Sequence, residues 1–488
     1  MRARYPDHDG YVERAGVKIF YEVFGEGEPT VLLLPTWSII HSRFWKMQIP
    51  YLARHCRVIT FDGRGNGRSD RPTEPALYAE TEFVADALAV MDATDTDSAV
   101  IACLSLGSQR ALLLAAHHPD RVSGAVYIAP ALPITPPHPE RTVHSFDDQL
   151  PSDEGWAKYN RHYWVKDFRG FLEFFFTHCF TEPHSTKPVE DCVGWGLETT
   201  PETLIATILA PGLDDRDAVL AAATKVKCPV LVVHGDEDAI SPHARGQALA
   251  EATGGRLVTL EGSGHIPLAR DPVKVNVLLR DFIAPRSPAA TWRRGKARAK
   301  KALFISSPIG LGHAQRDVAI ARELRGLVPG LQIEWLAQNP VTRVLEAEGE
   351  YIHPASRFLA NESRHIESES AEHDLHCFQA WRRMDEILLN NFMVFHDVIS
   401  EEDFDLWIGD EAWELDYYLH ENPDQKRAAY AWLTDFVGWL PMPDGDDHER
   451  YLTADYNAEM IEHIARFPRL RDRAVFVGNA EDIVPATF

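Results

Sequence analysis

Ser105 stands where an apolar run breaks and a helix-forming one begins. The stretch from Ala99 to Arg110, Ala-Val-Ile-Ala-Cys-Leu-Ser-Leu-Gly-Ser-Gln-Arg, predicts strand, sharp turn and helix, with Ser105 at the turn. Such a turn lifts the hydroxyl clear of the sheet and aims the backbone N–H of Leu106 at the same space, which is what a nucleophile needs. The pattern for that turn is G-x-S-x-G; Cys103 replaces the first glycine, and a small side chain suffices where strand and helix approach closely. A serine capping an ordinary helix fits the same residues, so the chemistry depends on partners.

Those partners follow later in the chain. The β-branched run Pro229-Val-Leu-Val-Val233 leads into His234-Gly-Asp236-Glu-Asp238-Ala-Ile-Ser-Pro242, and Arg256-Leu-Val-Thr-Leu260 leads into Glu261-Gly-Ser-Gly-His265-Ile-Pro267. A serine hydroxyl is a weak nucleophile at neutral pH, so an imidazole must take its proton during attack and return it to the leaving group. An acid then holds the imidazole in one tautomer and stabilises its cation. His265 fills the first role; Asp236 and Asp238 are both candidates for the second.

Serine after one strand, acid after a later one and histidine after the last is the order of the α/β-hydrolases, and over residues 10 to 283 the chain resembles that family. The resemblance implies Ser105 as nucleophile, His265 as base and Asp238 as acid, because Asp238 sits four residues before Pro242 as in the family's G-x-x-D-x-x-x-P pattern. Asp236 is then left to cap the turn. The loop Pro35-Thr36-Trp37 after the strand Thr30 to Leu34 falls where many relatives carry His-Gly before an oxyanion-hole residue. Trp37 would supply the second backbone N–H beside Leu106, and Thr36 in place of the glycine bears on a donor worth about 3 kcal/mol. Asp62-Gly-Arg64-Gly-Asn-Gly-Arg-Ser69 resembles the family's D-x-R-G-x-G-x-S loop and reads as structural, with Arg64 ion-paired; no P-loop residues follow it.

These residues must be positioned by a mostly parallel sheet. Tyr11 to Arg14 and Val17 to Val23 predict a hairpin about Ala15-Gly16, and strands then alternate with helices as far as Ala129. Pro130, Pro133, Pro136, Pro137 and Pro139 break that rhythm. Residues 131–220 read as helical and aromatic, with Trp156, Tyr159, Tyr163, Trp164, Phe168, Phe171, Phe174, Phe175, Phe176, Phe180 and Trp195, and stand where the family inserts a cap. Most of these rings read as packing; a few would line an apolar pocket above Ser105, so the implied substrate is a small apolar acyl compound. A hydrolase domain over 1–285 closes with the amphipathic helix Val273 to Phe282, and a basic linker over 286–301 follows.

At 488 residues the chain is long enough for two to four domains. A formal charge of −24 argues against nucleic acid, and no run approaches the eighteen or so apolar residues of a membrane span. The N-terminus has no signal-peptide core, and six scattered cysteines suggest neither a zinc site nor a disulfide framework, so the chain reads as cytoplasmic with reduced thiols and needs neither metal nor cofactor. The oligomeric state is not legible.

A second α/β fold restarts at residue 302. Strand Ala302 to Ser307, loop Pro308-Ile-Gly310-Leu-Gly312-His313, helix Ala314 to Leu324 and strand Ile333 to Ala337 make a βαβ unit, with later strands at 405–411, 428–435 and 474–479. The loop lacks the third glycine of a dinucleotide fingerprint. G-x-G-H after the first strand resembles the acceptor half of two-Rossmann-domain glycosyltransferases, which implies a Rossmann-like module over 302–488 with Gly310, Gly312 and His313 as an acceptor-site relic and Asp410 and Asp435 as neighbours. With no second such domain in the sequence, donor binding is expected to be lacking. Three functions therefore compete: serine hydrolysis, glycosyl transfer by the C-terminal part, and ligand binding by a protein whose hydrolase site is vestigial.

Overall fold

The computed structural model describes residues 1–284, 299–370, 376–443 and 445–479. The chain forms two compact units, Tyr5–Pro285 and Arg286–Phe488, the latter joined by Met1–Arg4. Most of the basic run (286–298) lies outside the described residues, as do 480–488.

The first unit is built on eight strands: β1 (His8–Arg14), β2 (Val17–Phe24), β3 (Thr30–Leu33), β4 (Arg57–Phe61), β5 (Ala99–Leu104), β6 (Val122–Ile128), β7 (Val230–Gly235) and β8 (Arg256–Leu260). Their order is β1-β2-β4-β3-β5-β6-β7-β8. The β1–β2 hairpin turns through Ala15 and Gly16, both at positive φ, the geometry whose twist matches that of the strands it joins. Beyond the antiparallel β2–β4 pairing every neighbour is parallel. β3, β5 and β7 are buried along their whole length, because a parallel sheet covered on both faces leaves no residue for water. Their side chains share one core with Val84, Ala87 and Val90 of the helix Glu80–Ala93, with Ala111 to Ala116 of the helix Gly107–His117, and with Leu249 and Ala250 of the helix His243–Thr253.

The loop after β4 is fixed from inside. Arg64 is fully buried and forked onto Asp86, Nε to Oδ2 and Nη2 to Oδ1 at 2.7 Å each, while Nη1 donates to the Leu77 carbonyl. Removing one partner of such a buried pair costs about 3–5 kcal/mol. Asp62 anchors the same loop, accepting from Ser42 and from the Arg68 N–H.

Between β6 and β7 come five helices, Arg161–Lys166, Phe168–Cys179, Thr186–Gly196, Pro201–Ile208 and Arg216–Ala223. Helix was expected from about residue 131, but residues 131–160 form only short 3₁₀ turns at Pro139–Thr142 and Gly155–Lys158. Proline removes N–H donors from the first part of that stretch. The first two helices begin where side chains satisfy the free N–H groups, Asn160 capping His162 and Tyr163, and Asp167 capping Gly170. The aromatic rings mostly pack on one another, Trp164 stacking on Phe171 at 4.4 Å.

The second unit holds a six-stranded sheet of β9 (Lys301–Ser306), β10 (Gln332–Leu336), β11 (Tyr351–Ile352), β12 (Leu406–Asp410), β13 (Ala429–Thr434) and β14 (Arg473–Phe476). All pairings are parallel and the order is β11-β10-β9-β12-β13-β14. Phe304 stacks on Trp335 in its core at 4.4 Å. The helix after β9 spans Leu311–Leu327, so Gly312 and His313 lie in its first turn and not in a preceding loop. Among the described residues no helix is long and apolar enough to cross a membrane.

Candidate active site

Ser105 occupies the turn between β5 and the helix Gly107–His117 with φ +51°, a conformation that costs a residue with a side chain about 1 kcal/mol or more. Hydrogen bonds on both sides hold it there: its N–H donates to the Ile128 carbonyl at 3.0 Å, and its carbonyl accepts from Ser108 and from the Ala131 N–H. Gly107 is required by close approach, since a Cβ there would stand 2.9 Å from the Pro35 carbonyl oxygen and 3.3 Å from Cβ of Cys103. Cys103 fits in full burial, and burial pushes its thiol up, away from reactivity.

His265 and Asp238 arrive from the loops after β8 and β7. His265 Nε2 lies 2.8 Å from Ser105 Oγ, and Nδ1 lies 2.7 Å from Asp238 Oδ2. An ionised carboxylate can only accept, so Nδ1 carries the proton and Nε2 is free to accept from the serine. Asp238 is buried, with its other oxygen accepting from the N–H groups of Ile240 and Ser241 at 2.8 Å each. Burial alone would raise its pKa; the imidazoles of His265 and His234 and their hydrogen bonds overcome this and hold the carboxyl well below the usual range. Asp236 is exposed and accepts from the Gly262 N–H at 2.7 Å, bracing the turn ahead of His265. The structure thus brings Ser105, His265 and Asp238 together and leaves Asp236 outside.

The inserted segment locks both loops. The His265 N–H donates to the Cys179 carbonyl and the Gly264 N–H to Glu182, both at 2.8 Å, while His138 donates to the Asp238 carbonyl.

Leu106 precedes the helix Gly107–His117, and Trp37 lies in the loop after β3. Among the described residues no backbone carbonyl accepts from either N–H. That loop is pinned by Arg110, whose Nη1 donates to the carbonyls of Pro35 at 3.0 Å and Thr36 at 2.5 Å. Arg110 is itself buried, paired with Glu80 at 2.8 Å and laid over the Phe83 ring. The Trp37 indole donates to Thr207 at 2.8 Å and packs against Tyr159, Trp164 and Phe175. Arg110, Glu80 and His234 were not legible in sequence; the available signals were an arginine ahead of the apolar run Ala111 to Ala116 and a histidine closing a buried strand.

In the second unit His313 Nδ1 lies 2.8 Å from Asp410 Oδ2, beyond the end of β12, and Arg316 Nη2 lies 2.5 Å from Asp410 Oδ1. Arg316 Nη2 is also 2.8 Å from His313 Nδ1, two donors crowded onto one carboxylate. The hydrogen bond to Asp410 raises the pKa of His313. Burial, then the Asp410 charge, pushes Asp317 up to about 8. Ligand atoms of His313, Glu411 and Asp435 lie within 4.8 Å of one another and could hold a cation, although Arg316, 3.5 Å from Asp435, already supplies positive charge there. Gly310 and Gly312 take ordinary φ, and a Cβ on Gly312 would meet open space.

The family model described as the alpha/beta hydrolase fold matches residues 29–272, half of the chain. The chain belongs to the α/β-hydrolase fold family. Its relatives include AB hydrolase superfamily protein YisY of Bacillus subtilis, 24% identical over 54% of this chain and 95% of that protein. They also include 2-hydroxymuconate semialdehyde hydrolase of a Pseudomonas species, 28% identical over 57% and 94%, and 3-oxoadipate enol-lactonase 2 of Acinetobacter baylyi, 24% identical over 53% and 91%. Among solved structures, the esterase from Exiguobacterium antarcticum is 23% identical with a TM-score of 0.47, covering 56% of this chain and 98% of that one. Family and relatives support a hydrolase.

Proposed function

We propose that this protein is a serine hydrolase of ester or related acyl bonds in small apolar substrates. Ser105 attacks the acyl carbon as His265 Nε2 takes its proton; Asp238 holds the imidazole and stabilises its cation; the N–H groups of Leu106 and Trp37 receive the oxyanion. His265 then protonates the leaving group, and a water activated by the same imidazole releases the acid from the acyl-enzyme. The observation that carries this reading is the unbroken hydrogen-bonded chain from Ser105 through His265 to Asp238, with Ser105 in the positive-φ turn. The aromatic rings packed around Trp37 beside the site support an apolar acyl group. Turnover of p-nitrophenyl acetate and butyrate tests it: Ser105→Ala should remove the activity and His265→Ala nearly all of it, and a variant that keeps most of its rate refutes the mechanism.

A second reading concerns 302–488, which we infer to be a Rossmann-like module of the glycosyltransferase acceptor type. Its first strand, β9, is central in a third-second-first-fourth-fifth-sixth order, and His313 with Asp410 sits where the order reverses, the place where such sheets bind ligands. We expect no donor binding. Calorimetry of the full chain with UDP and UDP-sugars should be silent, and micromolar binding would overturn this expectation.

A further inference from the structure

We propose that His234 is a positioning residue that tunes His265 through the carboxylate oxygen the two imidazoles share, an inference that rests on the Ser105–His265–Asp238 reading. His234 closes β7 and is fully buried. Its Nε2 lies 3.0 Å from Asp238 Oδ2 and 3.1 Å from the Ser241 carbonyl oxygen. Both are acceptors, so Nε2 must carry the hydrogen. Among the described residues Nδ1 has no hydrogen-bond partner, and it faces Gly246, where a Cβ would come within 2.5 Å of it. A proton on Nδ1 would be buried without an acceptor, so the ring is held as the Nε2–H tautomer.

Asp238 therefore divides its two oxygens between two tasks. Oδ1 is held by two backbone N–H groups at 2.8 Å, which fix the carboxylate without help from His234. Oδ2 accepts from His265 at 2.7 Å and from His234 at 3.0 Å. Donors on one oxygen compete for the same charge, so the His234 bond weakens what Oδ2 offers the His265 cation and keeps that cation easier to deprotonate. Other titratable groups near this carboxylate are Cys179, Arg245 and His243, the last with its ring 5.4 Å from that of His234; Arg141 lies by Cys179 and Arg245, and Asp236 by His243. Glu182 faces the His265 loop. None of these side chains is hydrogen-bonded to Oδ2 among the described residues.

The test is the pH dependence of kcat/KM for p-nitrophenyl acetate. His234→Phe keeps the volume and deletes the donor, and its acid limb should move to higher pH by about half a unit or more, about threefold in the His265 equilibrium. His234→Gln places an amide N–H near the Nε2 position and should keep the wild-type limb. A folded His234→Phe enzyme whose limb stays put or moves down overturns the proposal. Nitrogen NMR of histidine-labelled wild-type protein tests it without any variant: His234 should appear as the Nε2–H tautomer, and an Nδ1–H tautomer refutes the proposal. Retained turnover in Ser105→Ala would instead refute the reading beneath, so the two failures are separable.

Discussion

In the first unit a buried aspartate holds a histidine against a serine; in the second an aspartate ending β12 holds a histidine against an arginine. The bonds are nearly equal in length, 2.7 Å for His265–Asp238 and 2.8 Å for His313–Asp410. Their surroundings differ. Asp238 receives two backbone N–H groups and two imidazoles, which keep it ionised, and the far nitrogen of His265 meets a hydroxyl in a strained turn. Asp410 shares its charge with Arg316 and lies beside Asp317, a carboxyl pushed up to about 8, and the far nitrogen of His313 is 4.0 Å from Asp435. A histidine on a carboxylate is thus a component; the group beyond the imidazole decides what the pair can do.

The largest effect that could break this contrast is on the acid. Asp238→Asn should lower kcat/KM by about 10³–10⁴-fold, as wrong-tautomer variants do, while Asp236→Asn should cost less than about threefold. Steady-state kinetics on both variants decide, and the reverse ranking would move the acid to Asp236.

Arg110→Lys comes next. It keeps the charge but loses the planar fork that reaches the carbonyls of Pro35 and Thr36 while pairing Glu80. On the proposed oxyanion role of the Trp37 N–H, the loss should fall on kcat more than on KM and be smaller than the roughly 10²-fold of deleting an oxyanion donor. An unchanged kcat would place the oxyanion site elsewhere.

The smallest effect concerns the second pair. Asp317 has a pKa raised from 3.8 to about 8, so its contribution to stability is full at acid pH, below the unfolded value, and is lost as pH rises through the folded one. Thermal melting of the full chain should show the second unit losing stability from about pH 4 to 8, between the unfolded value and the raised one, and levelling off above it, and Asp317→Asn should flatten the decline. A decline equally steep in the variant would contradict this assignment.

Much of this arrangement is legible in sequence for a local reason. Ser105, Asp238 and His265 each follow a short apolar run, and a parallel sheet delivers every such end to the same edge. The hairpin at Ala15-Gly16 and the restart at β9 are equally local. Arg110 and His234 are not, because their roles depend on the carbonyls of Pro35 and Thr36, more than 70 positions away, and on one oxygen of Asp238. The stretch 131–160 misled because its aromatic residues pack without a helix beneath them. Gly310 and Gly312 looked like a loop although the helix Leu311–Leu327 absorbs Gly312 and His313 in its first turn.

Reaction of the folded protein with a fluorophosphonate reads the nucleophilicity of Ser105 itself. One phosphonyl group per chain is expected, mapped to Ser105, absent from Ser105→Ala and strongly slowed in His265→Ala. Folded wild-type protein that stays unlabelled, or that is labelled at any other serine, would contradict it.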